Sequence, residues 1–273
     1  MQLQDASPKF ETQGLRFAAI SYDSPAILTD FAHRHKIVYP LLADPDSRVI
    51  RSFNVLNANA TGKEKGMAHP GFVDIDADGT IREEYFELKP TDRFTPNNVI
   101  GKLFPELAEE VTGSVDAPNL RLTLEQSDRM VFPGNRVTLT AEIQLPAGVH
   151  VYAPGVQGYK PIQLVLKPQS GIELAPVAYP SSKILYLEAI QEHVPVFEGK
   201  FRITQDATVT FSPSSDIVRS LVSSGKTITI TGDLGYQACD NRVCYPPKSV
   251  PVTWRLQLLP LELKRSPNDI QHK

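Results

Sequence analysis

Gly235-Tyr-Gln-Ala-Cys239-Asp-Asn-Arg-Val-Cys244-Tyr-Pro-Pro247 carries the two cysteines of this 273-residue chain, five positions apart. Any sulfur chemistry must run through that pair. A chain of this length buries a sizeable core without staples, and closing so short a loop stabilises a fold by roughly 2 kcal/mol or less before strain is subtracted. Strained and exposed disulfides are the reducible ones. The pair therefore reads more naturally as a redox couple than as a brace, while on spacing alone a structural disulfide in a β-sandwich stays open. Zinc would need two more ligands from six scattered histidines. No metal and no cofactor is expected.

The sequence around this hairpin is β-rich. Arg136–Ile143, Val149–Tyr152, Ile162–Lys167, Thr208–Phe211, Thr227–Thr231 and Val250–Leu258 alternate apolar and polar residues between turn clusters. Short strands at such spacing predict a β-sandwich.

The first hundred residues read differently. Gly14 suits a helix C-cap before an apolar run, Leu15–Ser21. Ser24 and Pro25 open a helix that puts Ile27, Leu28, Phe31 and Ala32 on one face. Tyr39–Ala43 is extended, Asp46–Phe53 a short helix, and Gly71–Ile75 a strand that turns through Asp76–Gly79 into Thr80–Phe86. Thr95–Phe104 is a last helix. This mixture predicts a layered α/β domain. Between Pro105 and Asn119 the composition is that of a polar connector, with Glu106, Glu109 and Glu110 as a solvated face. The expected division is an α/β domain over 1–107, a linker over 108–118, an all-β domain over 119–262 and a frayed polar tail over 263–273.

A net charge of -3 gives no reason to expect nucleic acid as a partner. No apolar stretch approaches a membrane span, and Met1-Gln-Leu-Gln-Asp5 lacks the basic start and apolar core of a secretory signal. Asp74, Asp76 and Asp78 hint at calcium, but the twelfth position of such a loop is Tyr85 rather than Glu, so a hairpin turn suffices.

Two family resemblances rest on these segments. Gly14–Ser24, Tyr39–Ser47 and Phe72–Gly79 resemble the later part of peroxiredoxin and redoxin domains, which are thioredoxin-like. That resemblance spans roughly residues 1–107 and implies a truncated domain lacking the helix that carries the reactive cysteine. It makes Pro70, after His69, a candidate cis proline beside an empty site, with an ordinary turn proline as the equal alternative. Residues from about 115 to 260 resemble the N-terminal domain of DsbD, an immunoglobulin-like thiol:disulfide interchange domain, on Tyr236-Gln-Ala-Cys239 and Cys244-Tyr-Pro-Pro247. The segment between the cysteines is one residue shorter than that family's best-known pattern.

The second resemblance implies that Cys244 is the partner-facing thiol and Cys239 the resolving one. It also implies thioredoxin-like or other disulfide-containing proteins as partners, and work outside the bacterial cytoplasm. Tyr152 matches an aromatic position lining the site, and Tyr179, in Ala178–Ser182, the place of an aromatic cap. Tyr236, Tyr245 and Pro246 would offer apolar surface for docking, and Arg242 is placed to favour a thiolate, since nearby positive charge lowers a thiol pKa. Two other readings stay open: a peroxiredoxin-like peroxidase, which needs a cysteine absent from residues 1–107, and a non-catalytic binding module with a permanent disulfide.

Overall fold

The computed structural model describes residues 2–107, 110–187, 191–210, 227–240, 242–261 and 264–271. The chain divides into two units, Met1–Leu103 with Leu261–Lys273, and Phe104–Pro260.

In the first unit, α1 (Gln2–Thr12) stops where Gly14 takes φ +74°, which lets Leu15 N–H reach back to Phe10 O at 3.0 Å. The apolar run that follows is strand only at β1 (Ala19–Ser21). It pairs in parallel with β2 (Leu41–Ala43), leaving Ile20 and Leu42 exposed. Between them, α2 (Pro25–His35) starts at Ser24, whose Oγ accepts Ile27 N–H at 3.4 Å. Its apolar face is the expected one, but Ile27, Leu28, Phe31 and Ala32 are only half-buried.

The short α3 (Arg48–Ser52) is held by Asp44, whose two carboxyl oxygens accept Arg48 N–H and Ile50 N–H at 2.9 Å each. A hairpin joins β3 (Gly71–Ile75) to β4 (Ile81–Phe86), followed by β5 (Arg93–Phe94) and α4 (Pro96–Leu103). Ala6, Phe10 and Ile100 form its core. The aspartates of the hairpin turn are spoken for: Asp78 Oδ1 accepts Thr80 N–H, and Asp76 pairs with Arg82 at 2.7 Å.

Two expectations fail in this unit. The peptide bond before Pro70 is trans, so no cis proline shapes a site there. The tail is not simply frayed, because Ser266 Oγ lies 3.4 Å from Arg34 Nη2 on α2.

The second unit is built from thirteen strands among the described residues: β6 (Glu110–Ala117), β7 (Leu120–Gln126), β8 (Met130–Val131), β9 (Asn135–Gln144), β10 (His150–Tyr152), β11 (Gln163–Leu166), β12 (Ile172–Leu174), β13 (Lys183–Leu187), β14 (Glu192–Glu198), β15 (Lys200–Val209), β16 (Thr227–Tyr236), β17 (Ala238–Cys239) and β18 (Lys248–Leu258). One sheet runs β12-β15-β9-β7-β6, a second β11-β16-β18-β8, and a third β13-β14-β10-β17. Alternation decides which side chains face inward. On β18, Val250, Val252, Trp254, Leu256 and Leu258 are buried in turn, meeting Ile228, Ile230 and Leu234 of β16 and Val137, Leu139, Ala141 and Ile143 of β9 in one core. Trp254 Nε1–H donates to Glu125 O at 2.8 Å, so the largest core side chain buries no orphaned donor. At Gly232 a Cβ would stand 2.3 Å from Val165 O, so only glycine allows β16 to lie this close to β11.

The expected connector over 105–119 is corrected here. Residues 110–117 form β6, antiparallel to β7 with Val115 opposite Leu122. It carries little apolar alternation because it is an edge strand exposed over most of its length. Of the acidic face proposed for it, Glu110 opens the strand and Glu109 lies outside the described residues. The strand expected at 208–211 is the end of the longer β15, and Phe211 lies outside the described residues.

Candidate functional site

The site arises where the sequence after β16 changes sheets. β16 pairs with β18 through Tyr236, and two residues later Ala238 and Cys239 pair with β10 instead. Cys239 also faces Cys244 in an isolated antiparallel bridge, and the two sulfur atoms are bonded at 2.07 Å. The flanking hydrogen bonds, Asp240 N–H to Val243 O and Tyr245 N–H to Ala238 O, are both 2.9 Å. Cys239 and Cys244 are therefore a non-hydrogen-bonded antiparallel pair, the arrangement in which opposite Cα atoms come closest. Their Cα separation is 4.0 Å.

Asp240 ties the turn. Its Oδ1 accepts Arg242 N–H at 2.7 Å and Val243 N–H at 2.8 Å, and its Oδ2 accepts Tyr245 O–H at 2.8 Å. Donation from Val243, then Tyr245, then Arg242 holds the Asp240 carboxyl below the usual carboxylate range, and the same contact pushes the Tyr245 phenol up. Gln237 Nε2 closes the other side by donating to Tyr245 O at 3.1 Å.

The two sulfurs live in different surroundings. Cys239 is 1% exposed, whereas Cys244 is an exposed residue on the turn. The sheet carrying them has two faces, set by register. Val151, Phe197 and Ala238 stand side by side on β10, β14 and β17 and join the sandwich core. The opposite face carries His150, Tyr152, Val196, Glu198 and Cys239. There Cys239 clusters with Tyr152, Val194 and Val196, with Val156, Tyr159, Leu185 and Leu187 packed against them.

Tyr152, 1% exposed, brings its hydroxyl to 3.6 Å from Cys244 Sγ. Tyr159 stacks on the Tyr152 ring at 4.4 Å between centroids and donates its hydroxyl to Glu192 Oε2 at 2.8 Å. Burial pushes the Tyr152 phenol up, with Glu192 adding to it; for Tyr159 the hydrogen bond to Glu192 comes first.

The structure thus brings Cys239, Cys244, Tyr152 and Tyr245 together and places the other expected residues elsewhere or at the rim. Tyr236 is 2% exposed within the sandwich core, donating to Pro118 O at 2.7 Å, and offers no docking surface. Tyr179 packs on the same core, its hydroxyl accepting from Leu164 N–H at 3.4 Å, rather than on the cluster holding Cys239. Arg242 is exposed, and its charge falls on Asp240, which itself adjoins Cys239. Two residues of the site escaped the sequence reading. His150 had a signal, since it precedes Tyr152 by two positions on a strand and so shares its face. Tyr159 had none, because it sits in the loop between β10 and β11. Among the described residues no group of three or more His, Cys, Asp or Glu side chains could hold a metal ion.

A buried and an exposed cysteine, bonded across a two-strand turn on an immunoglobulin-like sandwich, define the class: a domain of the thiol–disulfide type. Residues 121–253 match the family described as thiol:disulfide interchange protein DsbD, N-terminal, and residues 1–84 match the AhpC/TSA family, so the chain joins a thioredoxin-like redoxin segment to a DsbD N-terminal-type domain. Two Mycobacterium tuberculosis proteins described as candidate peroxiredoxins, from strains CDC 1551 / Oshkosh and H37Rv, are each 33% identical over 84 residues. That stretch is 30% of this chain and 53% of each relative, so the chain spans about half the length of the curated relatives it matches. Among solved structures, the N-terminal periplasmic domain of ScsB from Proteus mirabilis is 15% identical, with a TM-score of 0.37 over 55% of this chain and 51% of that one. The reduced N-terminal domain of Neisseria meningitidis DsbD is 14% identical, with a TM-score of 0.29 over 44% and 82%. The domain matched and its bonded cysteine pair make thiol–disulfide exchange the chemistry this site supports. No helix among the described residues is long and apolar enough to cross a membrane.

Proposed function

We propose that this chain exchanges electrons with protein partners through reversible opening of the Cys239–Cys244 disulfide, as a relay of the DsbD type. One observation carries the reading: Cys244 is an exposed residue and Cys239 a buried one. Exchange proceeds through a mixed disulfide, which requires one sulfur that a second protein can reach in line. The exposure of residue Cys244 supports that role for it. Cys239, opposite it on the paired strand, is held where it can attack Cys244 Sγ and release the partner. Partners of this kind are thioredoxin-like or other disulfide-bearing proteins, which dock over the turn and its exposed Val243, Pro246 and Pro247.

The AhpC/TSA-type segment contains no cysteine, so thiol peroxidase chemistry is not assigned to it. A permanent structural bond is disfavoured by the small gain from so short a loop.

The test is a Cys239→Ser variant incubated with a thioredoxin-like protein whose second active-site cysteine is replaced by Ser and whose first is activated as a mixed disulfide with thionitrobenzoate. A Cys244-linked mixed disulfide should accumulate, resolved by mass spectrometry, because neither chain keeps a second thiol to release it. If Cys244→Ser accumulates the adduct and Cys239→Ser does not, the roles are reversed; if neither does, the relay reading fails.

A further inference from the structure

The strand register that builds the site also lines up three chemically distinct side chains. Glu198 on β14, His150 on β10 and Cys239 on β17 are successive partners across the sheet, with His150 opposite both of the others. Directly opposed antiparallel residues share a face, with Cβ atoms about 5 Å apart. His150 is 2% exposed, and its Nε2 is buried without a hydrogen-bond partner. A buried polar nitrogen left unpaired forfeits the hydrogen bond that water would give it. In the disulfide form its neighbour Cys239 has no proton to offer. In the dithiol form it does.

We propose that His150 is the proton carrier for Cys239, with Glu198 across the sheet stabilising the imidazolium. This rests on the exchange reading above. From the dithiol, the Cys244 thiolate attacks one sulfur of a partner disulfide, giving a mixed disulfide and one partner thiolate, which is protonated from solvent. The Cys239 thiol then passes its proton to His150 as its sulfur attacks Cys244 Sγ. The Cys239–Cys244 bond forms, the bond to the partner breaks, and the departing partner thiolate takes the proton from the imidazolium. The chain is oxidised by two electrons and the partner disulfide is reduced to a dithiol.

The charged and titratable surroundings suit a base. Burial holds the imidazole below its ordinary value, so that it is neutral near pH 7, while Glu198 and Asp240 both act in the opposite sense. Lys183 on β13 lies 3.5 Å from Glu198 and tempers it, and Tyr152 meets the imidazole edge-on at 5.7 Å. Cys239 itself completes the set.

Reaction of the reduced chain with 5,5′-dithiobis(2-nitrobenzoate) separates the two steps in one stopped-flow trace. The first release of thionitrobenzoate reports attack by Cys244, and the second reports resolution by Cys239. With a base in place, the second phase levels off near neutral pH. Without one, it climbs about tenfold per pH unit toward the ordinary thiol value near 8.5. His150→Gln should slow the second phase tenfold or more at pH 7, lose that plateau, converge on the wild type above pH 9, and leave the first phase within twofold.

A wild-type second phase rising without a plateau to pH 8.5 overturns the assignment even if the variant does not fold. Equal slowing of both phases, or no change, also overturns it. A wild-type chain that gives the first release but never the second sinks the exchange reading instead.

Discussion

Tyr152→Phe removes one oxygen from the site and keeps the ring stacked on Tyr159. In the disulfide the lost hydroxyl lies 3.6 Å from Cys244 Sγ; once the bond opens, the same O–H faces a thiolate. A hydrogen bond to a charged group is worth about 1.5–3 kcal/mol, and because Cys244 is exposed the lower end applies. At about 1.4 kcal/mol per factor of ten, losing it cuts the thiolate population about tenfold at pH values below the thiol's titration. A less stabilised thiolate is also a better nucleophile. With a Brønsted slope of about 0.4–0.5, that returns about a factor of three.

The variant should therefore react about threefold more slowly at low pH and about threefold faster where both thiols are fully ionised, so the two rate profiles must cross. The assay is iodoacetamide alkylation of Cys244 in a Cys239→Ser background from pH 6 to 10.5, followed by mass spectrometry. A rate ratio that is constant across this range, or a Phe variant faster throughout, refutes the hydrogen bond to sulfur.

Two further outcomes test the frame around the site. Ile203, fully buried on β15, should cost about 2–5 kcal/mol of unfolding free energy when replaced by Ala; Trp254, buried in the same core and the single tryptophan of the chain, reports the urea midpoint by fluorescence. A shift worth under about 1 kcal/mol would place Ile203 outside that core. Asp240 supplies the pH dependence. Its folded value is depressed, so its stabilisation of the turn is fully present above the unfolded value of about 3.9 and is lost as pH falls through the lower folded one. A carboxyl carbon-13 titration with a midpoint at or above 3.9 contradicts the hydrogen bonds drawn to it.

What was legible in the sequence follows the range of the forces that set it. Alternation is local, so the sandwich could be read from Val250–Leu258 and Thr227–Thr231. Leu120, Leu122 and Leu124 of β7 alternate just as plainly, and the strand was still missed, as was its edge partner β6. The cysteine pair was legible because its bond closes within six residues. The partners of that bond were not. His150 meets Cys239, and Tyr152 meets Cys244, only through the register of three strands and a sheet change after Tyr236. Tyr236 carries the same residue type as Tyr245 and flanks the same hairpin, and both pack on the sandwich core, but Tyr236 is buried and bonded to Pro118 O whereas half-buried Tyr245 donates to Asp240 in the turn. The end of the β16–β18 pairing at Tyr236 decides that, and no composition rule contains it. Tyr159 takes the place expected for Tyr179: the aromatic beside the sulfurs is the one whose loop follows β10.

On the proposed exchange, placing the bond at a non-hydrogen-bonded pair lets the site cycle without rebuilding itself. The hydrogen bonds on either side, Asp240 N–H to Val243 O and Tyr245 N–H to Ala238 O, do not involve the cysteines' own backbone groups. Asp240 and Gln237 clamp the same turn through side chains. All of these contacts can survive when the sulfurs part, so the backbone that positions Cys239 behind Cys244 is common to dithiol and disulfide. The covalent bond contributes little to holding the turn, since a loop this short gains only about 2 kcal/mol from closure. On that reading the change between the two states falls on the sulfurs and the polar groups beside them, the Tyr152 hydroxyl at Cys244 and the His150 imidazole opposite Cys239. In the exchange we propose, burial orders the events: Cys244 is the exposed residue that meets the partner, and buried Cys239 attacks the sulfur in front of it.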